Sequence, residues 1–109
     1  MAKYPGCPSQ IKGVLEISKN RSGVFIGGNP HGLRSLAKIL NWLAEIDQKS
    51  HPTMPDGERE HTHLYRGTHL SEFSVLTELC RLDAKGTGDL PKRYNKKLKN
   101  PTRRRIRKS

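Results

Sequence analysis

The sequence predicts a small α+β domain: a β-hairpin, one long amphipathic helix and two further strands, with the helix packed on a mostly antiparallel sheet. Apolar and polar residues alternate in short runs early in the chain and again after residue 60. Between those runs, residues 30–48 repeat apolar side chains at helical spacing. The 109 residues suffice for one domain, placed at residues 10–91 between an irregular lead-in (residues 1–9) and a tail (residues 92–109).

The hairpin is predicted from two β-prone runs on either side of a polar turn. Leu15 and Ile17 alternate with polar residues, so residues 14–18 should form a strand with one buried face. Residues 24–26 (Val-Phe-Ile) are also β-prone and are followed by two glycines. Residues 19–23 between the two runs are polar and include Asn and Gly, which tolerate positive φ. This arrangement is typical of a hairpin.

The helix is predicted to begin after Asn29, a favourable N-cap, with Pro30 in the first helical position. The opposite side is polar and includes Ser35. Burying six or seven apolar side chains at about 1.5–3 kcal/mol each would supply most of the driving force for folding. We therefore expect Leu40→Asp to unfold the domain. The predicted buried face comprises Leu33, Leu36, Ala37, Leu40, Leu43 and Ala44, widened by Ile39, Trp42 and Ile46.

The second half of the predicted domain is less regular. Residues 49–60 hold two prolines, a glycine and many polar groups, and they predict a long loop. Alternation resumes over residues 60–66, which predict a strand with Thr62 and Leu64 on one face and histidines on the other. After a turn, residues 73–82 fit either an amphipathic helix or a strand with two covered faces, and the pattern alone leaves both open.

The net charge of +11 is concentrated in the C-terminal tail. Residues 1–91 hold eleven Lys/Arg against ten Asp/Glu, whereas residues 92–109 hold ten basic residues and no acid. This tail has too much like charge and too few apolar side chains to pack, so it is predicted to be disordered. Such an arm can bind nucleic-acid phosphates by releasing counterions. The candidate polyanion-binding residues are Lys92, Arg93, Lys96, Lys97, Lys99, Arg103, Arg104, Arg105, Arg107 and Lys108.

Two histidines of the predicted third strand, His61 and His63, are weak candidates for a metal site. Residues two apart on a strand point to the same side of the sheet, as two metal ligands could. The chain places no cysteine next to them and shows no HExxH spacing. The sequence therefore predicts neither a metal site nor a cofactor.

No catalytic residue is predicted. Cys80 lies in an apolar run, where a thiol is usually an inert packing group. Residues 85–89 share the composition of a phosphate-binding loop but lack its spacing, and they predict the turn that leaves the last element. We therefore expect a protein that is not an enzyme.

The composition also bears on location. A run of about 18 apolar residues, which a membrane span needs, is missing, so no membrane partner is expected. The first residues lack an apolar stretch of the kind found in signal peptides, which favours a cytoplasmic protein. In that compartment Cys7 and Cys80 are expected to be reduced thiols.

Four stretches of the chain carry a resemblance to a known family: LEIS at residues 15–18, GNPHGLRSLA at residues 28–37, EHTHL at residues 60–64 and LSEFS at residues 70–74. They resemble the bacterial immunity protein 32 family, small partners of polymorphic toxins. The resemblance implies that residues 74–82 form a strand, following the histidine-containing strand and a turn. It also implies a protein that occludes a toxin by surface complementarity and performs no chemistry.

Two functions follow as expectations. The first is a non-catalytic binding protein that acts by protein–protein association, with a toxin as the candidate partner. The alternative is a nucleic-acid-associated protein anchored by the basic residues of 92–109. The sequence predicts no oligomeric state.

Overall fold

The computed structural model describes residues 4–95. It confirms the α+β class: an antiparallel hairpin is followed by one long helix and then by two more antiparallel strands. A short 3-10 helix lies at the start of the predicted loop of residues 49–60. The elements are β1 (Leu15–Asn20), β2 (Gly23–Gly28), α1 (Pro30–Glu45), the 3-10 helix (Gln48–Ser50), β3 (His61–Leu64) and β4 (Thr77–Cys80).

The strands form two separate two-stranded sheets, β1–β2 and β3–β4. Residues 71–75 lie along the edge of β1 that β2 leaves free. There Ser71 N–H donates to the Leu15 carbonyl and Val75 N–H to the Ile17 carbonyl, both at 2.9 Å. The Ile17 N–H donates to the Ser74 hydroxyl at 3.1 Å instead of to a backbone carbonyl. Because one of these three hydrogen bonds goes to a side chain and not to the backbone, the segment pairs with β1 without forming a regular β-strand.

The helix begins as the sequence predicts. Asn29 Oδ1 accepts from the backbone N–H of Gly32 at 2.8 Å, and Pro30 occupies the first turn. The same oxygen accepts from Val14 N–H at 3.0 Å, so one cap residue ties the helix to the start of β1. Gly32 faces this contact, and a Cβ there would lie 1.8 Å from the Val14 carbonyl oxygen. Only glycine lets the helix approach the chain this closely.

The buried side of α1 differs from the predicted one. Leu36, Ile39 and Leu43 are buried as expected, together with Ile46 just beyond the helix. The structure corrects the prediction at four positions where it places apolar residues in solvent, and at Ser35, which is buried although the sequence predicts it on the polar side. The four predicted core positions that are exposed instead are Leu33, Ala37, Leu40 and Ala44.

The helix is turned about its own axis relative to the prediction, because of the residues that pack against it. Ser35 Oγ accepts from Lys12 N–H at 2.9 Å and donates to the His31 carbonyl at 2.9 Å. Gly32 is buried against the backbone of Val14. Small residues therefore occupy the face on which the chain before β1 lies closest, and this turns Leu40 toward solvent at 45% exposure.

The main core lies between α1, β1 and the segment that follows β3. Ile11, Cys7 and Leu79 are partly buried and pack against it. Leu79 belongs to β4, so the predicted strand of residues 74–82 is present over Thr77–Cys80 and shares in the core. The buried members of this cluster are Leu15, Ile17, Leu36, Ile39, Leu64 and Leu70.

Two long polar side chains join β3 and β4 to the end of α1. The buried Gln48 accepts from Glu60 N–H at 2.7 Å through Oε1 and donates to the Asp83 carbonyl at 2.8 Å. Arg81 donates to the carbonyls of Leu43 and Ile46 at 3.1 and 2.8 Å, which satisfies backbone groups at the helix C-terminus. The loop predicted over residues 49–60 is therefore held at both ends by these hydrogen bonds.

Of the predicted tail, only residues 92–95 are described, and residues 93–95 are helical. The disorder predicted for residues 96–109 lies outside the described range. Within residues 4–95, no helix combines the length and the apolar character needed to cross a membrane.

Candidate functional site

The β3–β4 hairpin brings four chemistry-bearing side chains to one face. In its register His61 is opposite Cys80, and His63 is opposite Glu78. Directly opposed residues share a face, as do residues two apart on one strand. The four therefore form a two-by-two grid on the hairpin, in which each residue is exposed or half-buried. The prediction that the two histidines lie on the same side is confirmed.

Three of these four side chains are close enough to bind one metal ion together. One donor atom from each of His61, His63 and Glu78 lies within 4.8 Å of the others. The His63 Nε2 atom is 3.8 Å from Glu78 Oε1, and the two imidazole centroids are 5.2 Å apart in an edge-to-face arrangement. We call His61, His63 and Glu78 the hairpin triad.

The orientation of His61 is set by a backbone carbonyl. Its Nδ1 atom lies 3.2 Å from the Arg59 carbonyl oxygen, which can only accept a hydrogen bond. Nδ1 must therefore carry the proton, and in the neutral ring Nε2 keeps its lone pair. His61 thus presents one nitrogen as a base or metal ligand on the exposed side of the hairpin.

Cys80, the fourth member of the grid, is held in its thiol form. Partial desolvation of the thiol raises its pKa, and the neighbouring Glu78 carboxylate raises it further. The thiol lies 3.0 Å from the Arg81 carbonyl, to which it donates. A thiol with a raised pKa is a weak nucleophile at neutral pH.

A second candidate site is an apolar surface on the first hairpin. Val24 and Ile26 of β2 are 67% and 54% exposed, although the register places them on the same sheet face as the buried Ile17. Phe25, on the other face, is also exposed. Within residues 4–95 no further strand pairs with the outer edge of β2.

Helix α1, which contacts β2, also has exposed apolar side chains. Residues before β1 cover one flank of the helix, where Trp42 Nε1 donates to the Pro5 carbonyl at 3.0 Å. Leu33 and Leu40 lie on the opposite flank and are exposed, and the helix contacts β2. We call Val24, Ile26, Leu33 and Leu40 the β2 surface.

The structure places only two of the predicted polyanion-binding residues. Lys92 and Arg93 are exposed, and the Arg93 guanidinium carbon lies 5.0 Å from the centroid of the Tyr94 ring, a cation–π arrangement. The other predicted residues lie beyond the described range: Lys96, Lys97, Lys99, Arg103, Arg104, Arg105, Arg107 and Lys108.

Sequence reasoning missed Glu78 and the exposure of β2. Glu78 stands in an otherwise apolar run, and this isolated acid could have marked it as facing the histidines once a register was assumed. Residues 24–26 carry no charge or polar group, and the sequence predicts a β-prone run there without indicating what packs on it. Within the described residues no strand pairs with the outer edge of β2, and no local sequence pattern indicates this.

We compared the chain with protein-family models, with curated proteins and with solved structures, and none of the three comparisons found a match.

Proposed function

We propose that this chain is a non-catalytic protein-binding module and that its partner docks on the β2 surface. The observation that carries the proposal is the edge strand β2: no other strand of residues 4–95 pairs with its outer edge, and Val24, Phe25 and Ile26 are all at least half exposed. Unpaired strand edges and contiguous apolar patches are features that soluble proteins usually cover or keep for interfaces.

The edge and the patch support one mode of binding. A partner strand added to the outer edge of β2 would satisfy the backbone groups of β2 and lie beside Val24 and Ile26. Leu33 and Leu40 would then contact the same partner from the helix. The backbone hydrogen bonds would orient the partner, and the four apolar side chains would supply the buried area.

The charges around the β2 surface indicate the partner's chemistry. Lys19 is the cross-strand neighbour of Val24, and Arg21 lies in the turn that joins β1 to β2. This end of the surface has a basic rim, so the partner should carry an apolar segment with an acidic group beside it.

The partner class follows the resemblance to the bacterial immunity protein 32 family: we propose a toxin. The Cys80 thiol has a raised pKa and donates to a backbone carbonyl, so it is a weak nucleophile, and this supports a binding role over thiol-based catalysis. The proposed function requires no catalytic residue.

A matched pair of variants tests the proposal. Val24→Thr/Ile26→Thr keeps the β-branched shapes but removes the apolar surface, whereas Val75→Thr/Leu76→Thr makes the same kind of change at exposed residues away from the edge of β2. Full chains would be used as bait in cells of the source organism, and retained proteins quantified by mass spectrometry. We expect wild type and the control to retain a common protein that the β2 variant loses. Equal retention by all three, or retention by none, would contradict the proposal.

The charge distribution supports a second candidate function, nucleic-acid association through the tail. Ten of the 21 basic residues lie in residues 92–109, with no acid among them. If about eight phosphate contacts form on duplex DNA, log K should fall with log[salt] at a slope of about −7. The comparison is between the full chain and a full-length variant with its eight basic residues beyond Asn95 changed to glutamine. Salt-independent binding, or equal binding by both proteins, would exclude this function.

A further inference from the structure

We propose that the hairpin triad is a binding site for a divalent transition metal, with Zn²⁺ as the ion it fits. His61 and His63 come from β3, and Glu78 comes from β4, so the ion would join the two strands. Two imidazoles and one carboxylate, with a fourth position left to water, form a common donor set for zinc in proteins.

The separations suit such a site after small side-chain movements. Zinc ligands at about 2.0–2.1 Å in tetrahedral geometry lie roughly 3.3 Å from one another. The His63 Nε2 and Glu78 Oε1 atoms are 3.8 Å apart, and all three donor atoms fit within 4.8 Å. His61 and Glu78 are exposed and His63 is half-buried, so rotation about their side-chain bonds can close the remaining distance.

The Arg59 carbonyl provides an independent reason to regard the triad as a metal site. Metal-binding histidines usually donate their second ring nitrogen to a carbonyl or carboxylate, which fixes the tautomer and aims the other nitrogen at the ion. His61 already makes this bond through Nδ1 at 3.2 Å. No metal is required for the contact, so the ring is oriented before an ion binds.

The donor types favour zinc and its transition-metal neighbours over calcium or magnesium. Imidazole nitrogen suits Zn²⁺, Ni²⁺ and Cu²⁺, whereas Ca²⁺ and Mg²⁺ prefer sets made of oxygen alone. The single carboxylate also leaves the occupied site with one net positive charge. An exposed site of this kind needs no further buried counter-charge.

Calorimetric titration of the full chain, purified without a polyhistidine tag, tests the proposal. We expect one Zn²⁺ per chain and a higher melting temperature with zinc, because an ion that joins two strands binds only the folded state. His63→Gln and Glu78→Gln should each weaken binding at least tenfold, about 1.4 kcal/mol.

Two control variants locate the binding. His31→Gln changes a histidine at the start of α1, and Cys80→Ser removes the thiol opposite His61. Both should bind zinc within about threefold of wild type, a difference below 1 kcal/mol. The proposal is overturned if wild type takes up no zinc, if the two triad variants bind as wild type does, or if either control weakens binding as much as they do.

Discussion

The phenyl ring of Phe25 lies over the backbone of Gly27, so that a Cβ atom on Gly27 would be 2.6 Å from the ring carbon Cζ. The two residues occupy the face of β2 that points away from the helix. The ring covers its own strand, and the outer edge of β2 stays open beside it.

Two glycine-to-alanine variants should differ sharply in stability. In Gly27→Ala the new methyl group meets the outer end of the Phe25 ring, which can rotate away, so we expect a change within about 0.5 kcal/mol. In Gly32→Ala the methyl group meets the Val14 carbonyl at 1.8 Å, and the backbone itself must move. We expect a loss of about 2–3 kcal/mol. Chemical denaturation of both variants measures the difference, and similar losses would contradict the close packing of α1 on Val14, just before β1.

Aspartate at two adjacent helix positions should have opposite outcomes. Ile39 is fully buried and Leu40 is 45% exposed. Ile39→Asp would bury an unpaired carboxylate and should unfold the domain, whereas Leu40→Asp should cost about 1 kcal/mol or less. Circular dichroism melts of the two variants decide the matter. An unfolded Leu40→Asp protein would restore the helix orientation that the sequence predicts.

The Arg81–Asp83 pair should make stability depend on acidity. Two hydrogen bonds from the Arg81 guanidinium to the carboxylate, at 2.7 and 2.6 Å, lower the pKa of Asp83 below its usual value, and burial opposes them. A lowered folded-state pKa stabilises the fold above the unfolded pKa of about 3.9 and loses that contribution as pH falls through the folded value.

Asp83→Asn isolates this contribution. Wild type should melt higher than the variant by a constant margin above about pH 5, and the margin should shrink below about pH 4. Melting curves across this range provide the measurement. A margin that stays constant into strong acid would show that the Asp83 charge contributes nothing to stability.

Local signals predicted the elements that rest on local physics. The cap at Asn29 and the proline after it specify where α1 begins, because both act within one turn of the helix. The polar turn between β1 and β2 is closed by Asn20 Oδ1, which accepts from Ser22 and Gly23 N–H at 2.8 and 3.1 Å. These features need no distant partner, so the sequence alone predicts them.

Long-range contacts determined what could not be predicted. The apolar residues of α1 span more than half its circumference, so periodicity does not say which arc is buried. The buried arc is determined by Lys12 and Val14, which lie against Ser35 and Gly32. Similarly, a 12-residue connection between β3 and β4 leaves their register open, because no tight turn fixes it. Only the register places Glu78 beside the histidines.

Amide hydrogen exchange tests the central proposal, that a protein partner docks on the β2 surface, most directly. The full chain would be measured alone and with the protein that wild type retains and Val24→Thr/Ile26→Thr loses. We expect slower exchange at the backbone amides of Gly23–Gly28 in the complex, because a partner strand would pair with that edge. Unchanged exchange in β2, with protection confined to other parts of the chain, would contradict it.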